Sequence, residues 1–423
     1  MSSSQIVSLE SLCRIVRGSS PRPKSDSRFF GGNVPRLMVE DLTRDGRYVT
    51  PKIDSLTEEG AKLSRPVPAG TIVIVVSGSV GQVAQLNIDA CIHDGFVGLL
   101  DLDTKKIRPE FLMYYLETLR GKNQKAATGA VWQNLTTDQI KKIEISLPPL
   151  EQQQRIAAIL DAADALRAKR RESLVKLEML LRSVFLEMFG DPVTNPKGWH
   201  RVRFGDILES IDSGWSPQCQ ERKVATNEWG VLKLGAVTSC YFKEGENKAL
   251  HEGTVPKQKL EVKSGDLLFS RKNTYDLVAA CALVDETRPR LMLPDLIFRF
   301  VFKESTQVKS EYIWSLFTYP SKRKNIQLLA NGAAGSMPNI SKGNLLELQI
   351  ELPPIEKQIQ FAQFHKLLTD QKKKFQYELS SLESLFSSLQ HQAFNGTLTA
   401  HALQEHTAEN HPSVSFAATS PIA

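Results

Sequence analysis

The feature that most constrains this chain is a stretch of sequence that occurs twice. IEISLPPLEQQQRIAAIL at 143–160 returns as LQIELPPIEKQIQFAQFH at 348–365, an offset of 205. The same offset carries Asn134-Leu135 onto Asn339-Ile340 and Phe189-Gly190 onto Phe394-Asn395. Upstream, offsets of 195 to 201 imply small insertions: Gly18-Ser19-Ser20-Pro21 answers to Gly214-Trp215-Ser216-Pro217, Leu37 to Leu232, Gly70 to Gly265, and PEFLMYYL (109–116) to SEYIWSLF (310–317). Matches in one unbroken order point to a duplicated chain. With 423 residues, it is also longer than a single hydrophobic core usually supports.

Each copy has the same internal grammar. About 140 residues of short β-rich runs such as IVIVV and LIFRFVF, punctuated by Gly and Pro, read as a mixed α/β domain. Leu-Pro-Pro then sets the start of a long helical pattern, from Glu151 to Phe189 and from Glu356 to Phe394, 39 residues each or roughly 58 Å. In the first helix Leu160, Ala163, Leu166, Leu174, Leu177, Leu181, Val184 and Met188 recur at three and four, with one gap filled by Arg170. In the second, Phe361, Phe364, Leu368, Phe375, Leu379, Leu382, Phe386, Leu389 and Ala393 do the same. Such stripes are coiled-coil seams. One such helix would more simply lie on its own domain, but two of equal length favour packing against each other. The expected fold class is α+β: two tandem mixed α/β domains joined by two long antiparallel coiled-coil helices about a pseudo-two-fold axis.

Several classes are disfavoured. The longest apolar runs, Ile72 to Val76 and Ala279 to Val284, fall far short of the roughly 20 residues of a spanning helix, and MSSSQIVSLESL lacks the regions of a secretory signal, so a cytoplasmic location is expected. Five cysteines without a C-x-x-C pair read as reduced packing thiols. There is no G-x-x-x-x-G-K-[ST], H-E-x-x-H, G-x-S-x-G or strand-linked G-x-G-x-x-G, and Asn195-Pro196-Lys197 lacks the second proline and aromatic of N-P-P-[FYW]. No catalytic or metal-ligating residue is therefore assigned. His93-Asp94 reads as a polar loop, and Pro294-Asp295 lacks the partner residues of a nuclease site.

A net charge of +6 permits nucleic-acid binding without demanding it. Three recurring loops carry the chemistry for it. The first follows a short apolar helix and is basic: Arg120, Lys122 and Lys125 in one copy, Lys322, Arg323 and Lys324 in the other, groups that can neutralise phosphates. The second follows the central apolar strand: Ser77 and Ser79 in SGSVG against Arg271, Lys272, Asn273 and Tyr275 in SRKNTY. Here position is shared and chemistry diverges, as two readers of different bases require, because Arg or Lys reads guanine and Asn or Gln reads adenine. The third pairs Trp132, Gln133 and Asn134 with Asn339, glycine loops that end in an Asn before a helix; a helix cap is the plainer role for both asparagines. Arg22 and Lys24 beside the first Gly-x-Ser-Pro turn, and Trp215 and Gln218 in the second, complete the candidate DNA-binding set.

The paired Leu-Pro-Pro-Leu/Ile-Glu-x-Gln openings (147–153 and 352–358), the connector FGDPVTNPKGW (189–199) and the Gly-x-Ser-Pro starts at 18 and 214 resemble the DNA specificity subunit of type I restriction-modification systems, over roughly residues 5 to 400. The resemblance implies target-recognition domains at 1–150 and 190–355, conserved spacer helices at 151–189 and 356–396, and a tail at 397–423 expected to be disordered. It implies a non-catalytic subunit that binds double-stranded DNA and joins two adenine methyltransferase and two translocase-nuclease subunits, with S-adenosylmethionine, ATP and Mg²⁺ on those partners and none on this chain. Leu174, Leu177, Leu181, Val184, Leu379, Leu382, Phe386 and Leu389 are then spacer and partner-interface residues. Two reading domains held apart by the helices would recognise a bipartite target with an unread gap, capped near 17 base pairs by a span of roughly 58 Å. Ser270 to Asn273 departs from the small, Gly-containing loop at Ser77 to Gly81, so the base-reading role carries over less directly there. The competing readings are a tandem protein- or glycan-binding scaffold dimerising through its helices, and a specificity subunit of a related defence system.

Overall fold

The computed structural model describes residues 5–23, 26–125, 135–306, 308–330 and 337–398, without the side chains of 120–125. The chain forms two compact units, Met1–Arg170 with Glu378–Ala423, and Arg171–Tyr377. They part inside the long helices, so each unit holds a segment of both.

In unit 1 a five-stranded sheet runs in the order Arg14–Arg17, Phe96–Leu100, Ile72–Val75, Val83–Leu86, Tyr48–Val49. Phe96–Leu100 and Ile72–Val75 are buried at every position, which is why they read as unbroken apolar runs rather than as an alternating pattern. A four-stranded sheet in the order Asp54–Leu56, Phe30–Leu37, Ala90–Ile92, Arg65–Val67 lies beside it in the chain's path, with a parallel pairing of Arg36 to Cys91 and Leu37 to Ile92. Gln5–Ser8 pairs antiparallel with Glu144–Leu147, just before the first long helix.

Unit 2 repeats this plan. Its main sheet has the order Leu208–Ser213, Ile297–Phe302, Leu267–Ser270, Cys281–Leu283, and its smaller sheet Asn247–Ala249, Gly230–Leu232, Leu291–Met292 contains the matching parallel pair. Arg201–Arg203 pairs with Gln349–Glu351. Among the described residues no helix is long and apolar enough to cross a membrane. All five cysteines are free, and burial pushes the Cys13 thiol up to about 12 and that of Cys281 well above its ordinary value, as expected of packing thiols.

The long helices are Leu150–Phe189 and Ile355–Phe394, 40 residues each. Each opens directly behind Leu-Pro-Pro, and the repeated Gln of that motif is buried. Gln153 Nε2 donates to the carbonyls of Lys106 and Pro148 while its Oε1 accepts from Arg108 N–H at 2.8 Å. Gln358 donates to Pro353 O at 2.8 Å and accepts from Lys309 N–H at 3.1 Å. The motif is thus a latch between helix start and globular core, with the side-chain oxygen and nitrogen of each buried glutamine hydrogen-bonded.

Within unit 1 the two helix segments run antiparallel: the Arg167 guanidinium stands 3.4 Å from the Phe386 ring centroid, and Arg170 pairs with Glu378 at 2.8 Å. Within unit 2 they do so again, with Glu178 paired to Lys372 at 2.8 Å and Phe185 edge-on to Phe361 at 5.7 Å. The seam differs from the sequence expectation in one respect. Of the eight residues assigned to the spacer and partner interface, Phe386 alone is fully buried; Leu174, Leu177, Leu181, Val184, Leu379, Leu382 and Leu389 are half-buried, and the stripe residue Leu166 is exposed. The tight contacts are aromatic, because the helix segments close the cores of their own units: Phe386 packs on Tyr114, while Phe185 and Phe189 surround Tyr312. Phe386→Ala is therefore expected to cost about 3 to 5 kcal/mol of unfolding free energy and Leu181→Ala distinctly less. Chemical denaturation of the two variants checks the order; equal costs would contradict the aromatic closure.

Candidate nucleic-acid interface

In unit 2 the buried inner strand Leu267–Ser270 ends at Ser270, and the chain turns out into Arg271 to Asp276. This loop meets the second candidate segment directly. Lys272 bridges to Asn339, Asn273 N–H donates to Pro338 O at 3.3 Å, and Ile340 N–H donates to Arg271 O at 2.8 Å. Two segments about 65 residues apart, assigned separately from the sequence, therefore form one surface. Arg271 is half-buried with its guanidinium 5.3 Å from the Phe298 ring centroid, Asn273 is buried, and Tyr275 is 56% exposed. Asn273 Nδ2 and Asn339 Oδ1 are buried without a hydrogen-bond partner. Asn339 does not cap the following helix: Ser341 does, accepting from Asn344 N–H at 3.1 Å, just as Thr136 caps Thr137–Lys141 in unit 1.

The basic cluster on the helix Pro320–Gln327 separates into three roles. Lys322 contradicts the phosphate-contact expectation. It is 6% exposed, and its Nζ donates to Glu351 Oε2 at 2.6 Å and Gln349 O at 3.0 Å. The sequence carried the signal, since Lys322 stands one helical turn before Ile326, the buried apolar residue of the same face. Arg323 is half-buried and donates to Asp276 O at 3.0 Å. Gln327, absent from the sequence assignment, directs Nε2 at the carbonyls of Tyr275, Asp276 and Val278 at 3.1 to 3.3 Å. This helix therefore holds the backbone of the candidate reading loop. Lys324 is exposed and available to a phosphate.

Trp215 is half-buried on the smaller core of unit 2 with Lys257 Nζ 4.2 Å from its ring centroid, and Gln218 is exposed. In unit 1 Ser77 and Ser79 are exposed on the turn directly after Ile72–Val75, the place matching Arg271 to Tyr275. Arg22 is exposed and paired with Asp94 at 3.2 Å. Lys24, Trp132, Gln133 and Asn134 lie outside the described residues, as do the side chains of Arg120, Lys122 and Lys125, whose backbone belongs to the helix Pro109–Lys125. Among the described residues no group of three or more His, Cys, Asp or Glu is placed to hold a metal ion.

The sequence matches the type I restriction modification DNA specificity domain twice, over residues 1–178 and 196–378. It is 36% identical over 164 residues to the specificity subunit of the type I restriction enzyme EcoEI of Escherichia coli, a stretch covering 38% of this chain and 27% of that protein. To the EcoKI specificity subunit of Escherichia coli K12 it is 22% identical over 93% of this chain and 89% of the relative. Its fold resembles a chain from a study of complex assembly and conformational transition in a type I R-M system (TM-score 0.55, 17% identity, covering 94% of this chain and 99% of the other) and the type I S subunit from M. genitalium (TM-score 0.53, 15% identity, 92% and 96%).

Replacing Lys322 by Met strands the carboxylate of Glu351, which Arg201 reaches at 3.1 Å from its exposed side. Breaking a buried pair costs up to about 3 to 5 kcal/mol, so this variant should lose stability, whereas Lys324→Ala should keep its stability and lower the salt slope of duplex binding by about one unit. Denaturation curves and salt titrations of the two variants test the separation; the reverse pattern would contradict it.

Proposed function

Because the chain belongs to the type I restriction-modification DNA specificity family, we propose that it is the DNA sequence-specificity subunit of such a system and carries no catalytic activity of its own. The observation that carries this reading is the duplicated frame with divergent loops: after the same central strand, unit 1 presents Ser77 and Ser79, and unit 2 presents Arg271, Lys272 and Tyr275 beside Asn339. A shared scaffold with unlike side chains at its tip suits two readers of unlike base sequences. Exposed lysines such as Lys324 supply affinity that does not depend on sequence.

Each unit docks on its own stretch of duplex, and the two long helices act as a coiled-coil spacer between the two half-sites, leaving a gap that no side chain reads. Two adenine methyltransferase subunits, holding S-adenosylmethionine, bind this chain. Two translocase-nuclease subunits, using ATP and Mg²⁺, join them. Val175 and Met179, one turn apart on the first helix within unit 2, are exposed apolar side chains, and a methyltransferase helix laid along them would take that surface out of water. The methylated adenine in each half-site must leave the base stack to reach the partner's active site.

Purified alone, the chain should retain duplex DNA in a salt-dependent manner, transfer no methyl group and hydrolyse no ATP. With its methyltransferase, Arg271→Ala combined with Lys272→Ala should relax base preference in one half-site only, by about 1 to 3 kcal/mol for each lost base contact. Four residues inserted into both helices lengthen each by about 6 Å and should widen the unread gap by one or two base pairs. Methylation-site mapping reads both outcomes. A gap unchanged in a folded, active complex would remove the spacer from the account.

A further inference from the structure

Both units contain the same small device where the Gly-x-Ser-Pro turn leaves the main sheet. In unit 1 Gly18 N–H donates to Phe96 O at 2.9 Å and Ser19 N–H to Ile92 O at 3.1 Å; in unit 2 Trp215 N–H donates to Leu293 O at 2.9 Å, the matching carbonyl. The glycine is obligatory for closeness rather than for its dihedral angles. A Cβ on Gly18 would stand 2.0 Å from His93 O, and one on Gly214 would stand 2.1 Å from Leu293 O. Two residues further on, a serine hydroxyl donates to a carboxylate. Ser20 Oγ reaches Asp94 Oδ1 at 2.7 Å, and Ser216 Oγ reaches Asp295 Oδ1, whose own N–H donates back to Ser216 Oγ at 3.2 Å. Asp94 and Asp295 each lie two residues before the strand at the heart of the sheet, Phe96–Leu100 or Ile297–Phe302.

The surroundings differ while the latch does not. In unit 1 Asp94 also pairs with Arg22 and has His93 Nδ1 at 3.7 Å, and Ser20 Oγ accepts from Arg36 Nη2 at 3.2 Å. The Ser20 hydrogen bond, more than these charges, holds the Asp94 carboxyl below the usual carboxylate range. In unit 2 the Asp is preceded by Pro294, and the turn carries Trp215 and Gln218. The Asp94 side chain is 48% exposed, and hydrogen bonds and ion pairs in contact with water contribute little to stability. Orientation is what such a bond supplies. Gly, Ser, Pro and Asp form the repeated frame, and the variable side chains, Arg22 in one unit and Gln218 in the other, are mounted on it.

We propose that Asp94 and Asp295, acting through Ser20 and Ser216, are positioning residues that aim the Gly-x-Ser-Pro turns at DNA, each fixing base selection in its own half-site. The inference rests on the DNA-reading function proposed above. The experiment uses the full chain assembled with its methyltransferase, a library of duplexes varied at each half-site, and the variants Ser216→Ala, Ser216→Thr, Ser20→Ala and Ser20→Thr. Ser216→Ala should reduce discrimination about fivefold to tenfold at one half-site and leave the other untouched, with the melting temperature unmoved. Ser20→Ala should do the same at the opposite half-site, and each Thr variant, which restores the hydroxyl, should recover discrimination. Unchanged discrimination in both Ala variants, loss at both half-sites together, or loss that follows a fall in melting temperature without Thr rescue would overturn the assignment. A wild-type assembly without sequence preference would defeat the DNA-reading function and this inference with it, whereas a selective wild type with unaltered variants defeats this inference alone.

Discussion

Closure of each hydrophobic core by helix segments distant in sequence is the constraint from which the rest follows. In unit 1 the core gathers Leu9, Phe111 and Leu112 with Leu160 and Ala163 of the first helix and Phe386 and Ala393 of the second. In unit 2 the corresponding cluster joins Phe204, Phe269 and Phe317 to Phe185 and Phe189 from the end of the first helix and Phe361 from the start of the second. Neither core is complete until both helices have formed, so residues near the C-terminus help to define a domain that begins at the N-terminus. The rings make this possible, since one Phe fills volume that several half-buried leucines along the helices do not.

The duplicated units share a frame more than a filling. Tyr114 in unit 1 donates from its hydroxyl to Asp161, and Arg47 sits on its ring at 3.9 Å while also pairing with Glu117 and Asp164. Burial raises the Glu117 carboxyl above its ordinary value, with Arg47 opposing that shift. The residue matching Tyr114 in unit 2 is Ser315, which lines a cavity of about 370 Å³ together with Tyr241, Trp314 and Tyr319, whereas the cavity of about 490 Å³ in unit 1 is lined by the charged Arg47, Glu117 and Asp164. Buried charge in both units serves architecture, as Lys322 with Glu351 shows, while the loops beyond the sheets are free to vary.

The repeat, the Pro-set helix starts and the strand-rich blocks were legible because they depend on local chemistry: Pro-Pro cannot sit within a helix, and a strand covered on both faces must be apolar throughout. What the sequence did not reveal depends on tertiary contact. Nothing local shows that Arg271 to Asn273 meets Pro338 to Ile340, or that Gln327 holds the loop between them. Lys322 reads as a surface cation by composition, whereas its helical phase, one turn before the buried Ile326, places it inward. Asp94 and Asp295 stand in unlike local sequences, after His93 and Pro294, and their equivalence appears only in the structure, where each is bonded to the serine of the same turn.

The central claim is that each unit reads its own segment of duplex. Selection of bound sequences from a randomised duplex library by the chain with its methyltransferase tests it most directly. The account predicts two separate blocks of defined bases at a constant spacing, with the block between them random. A single contiguous block, or enrichment without any sequence preference, would contradict it.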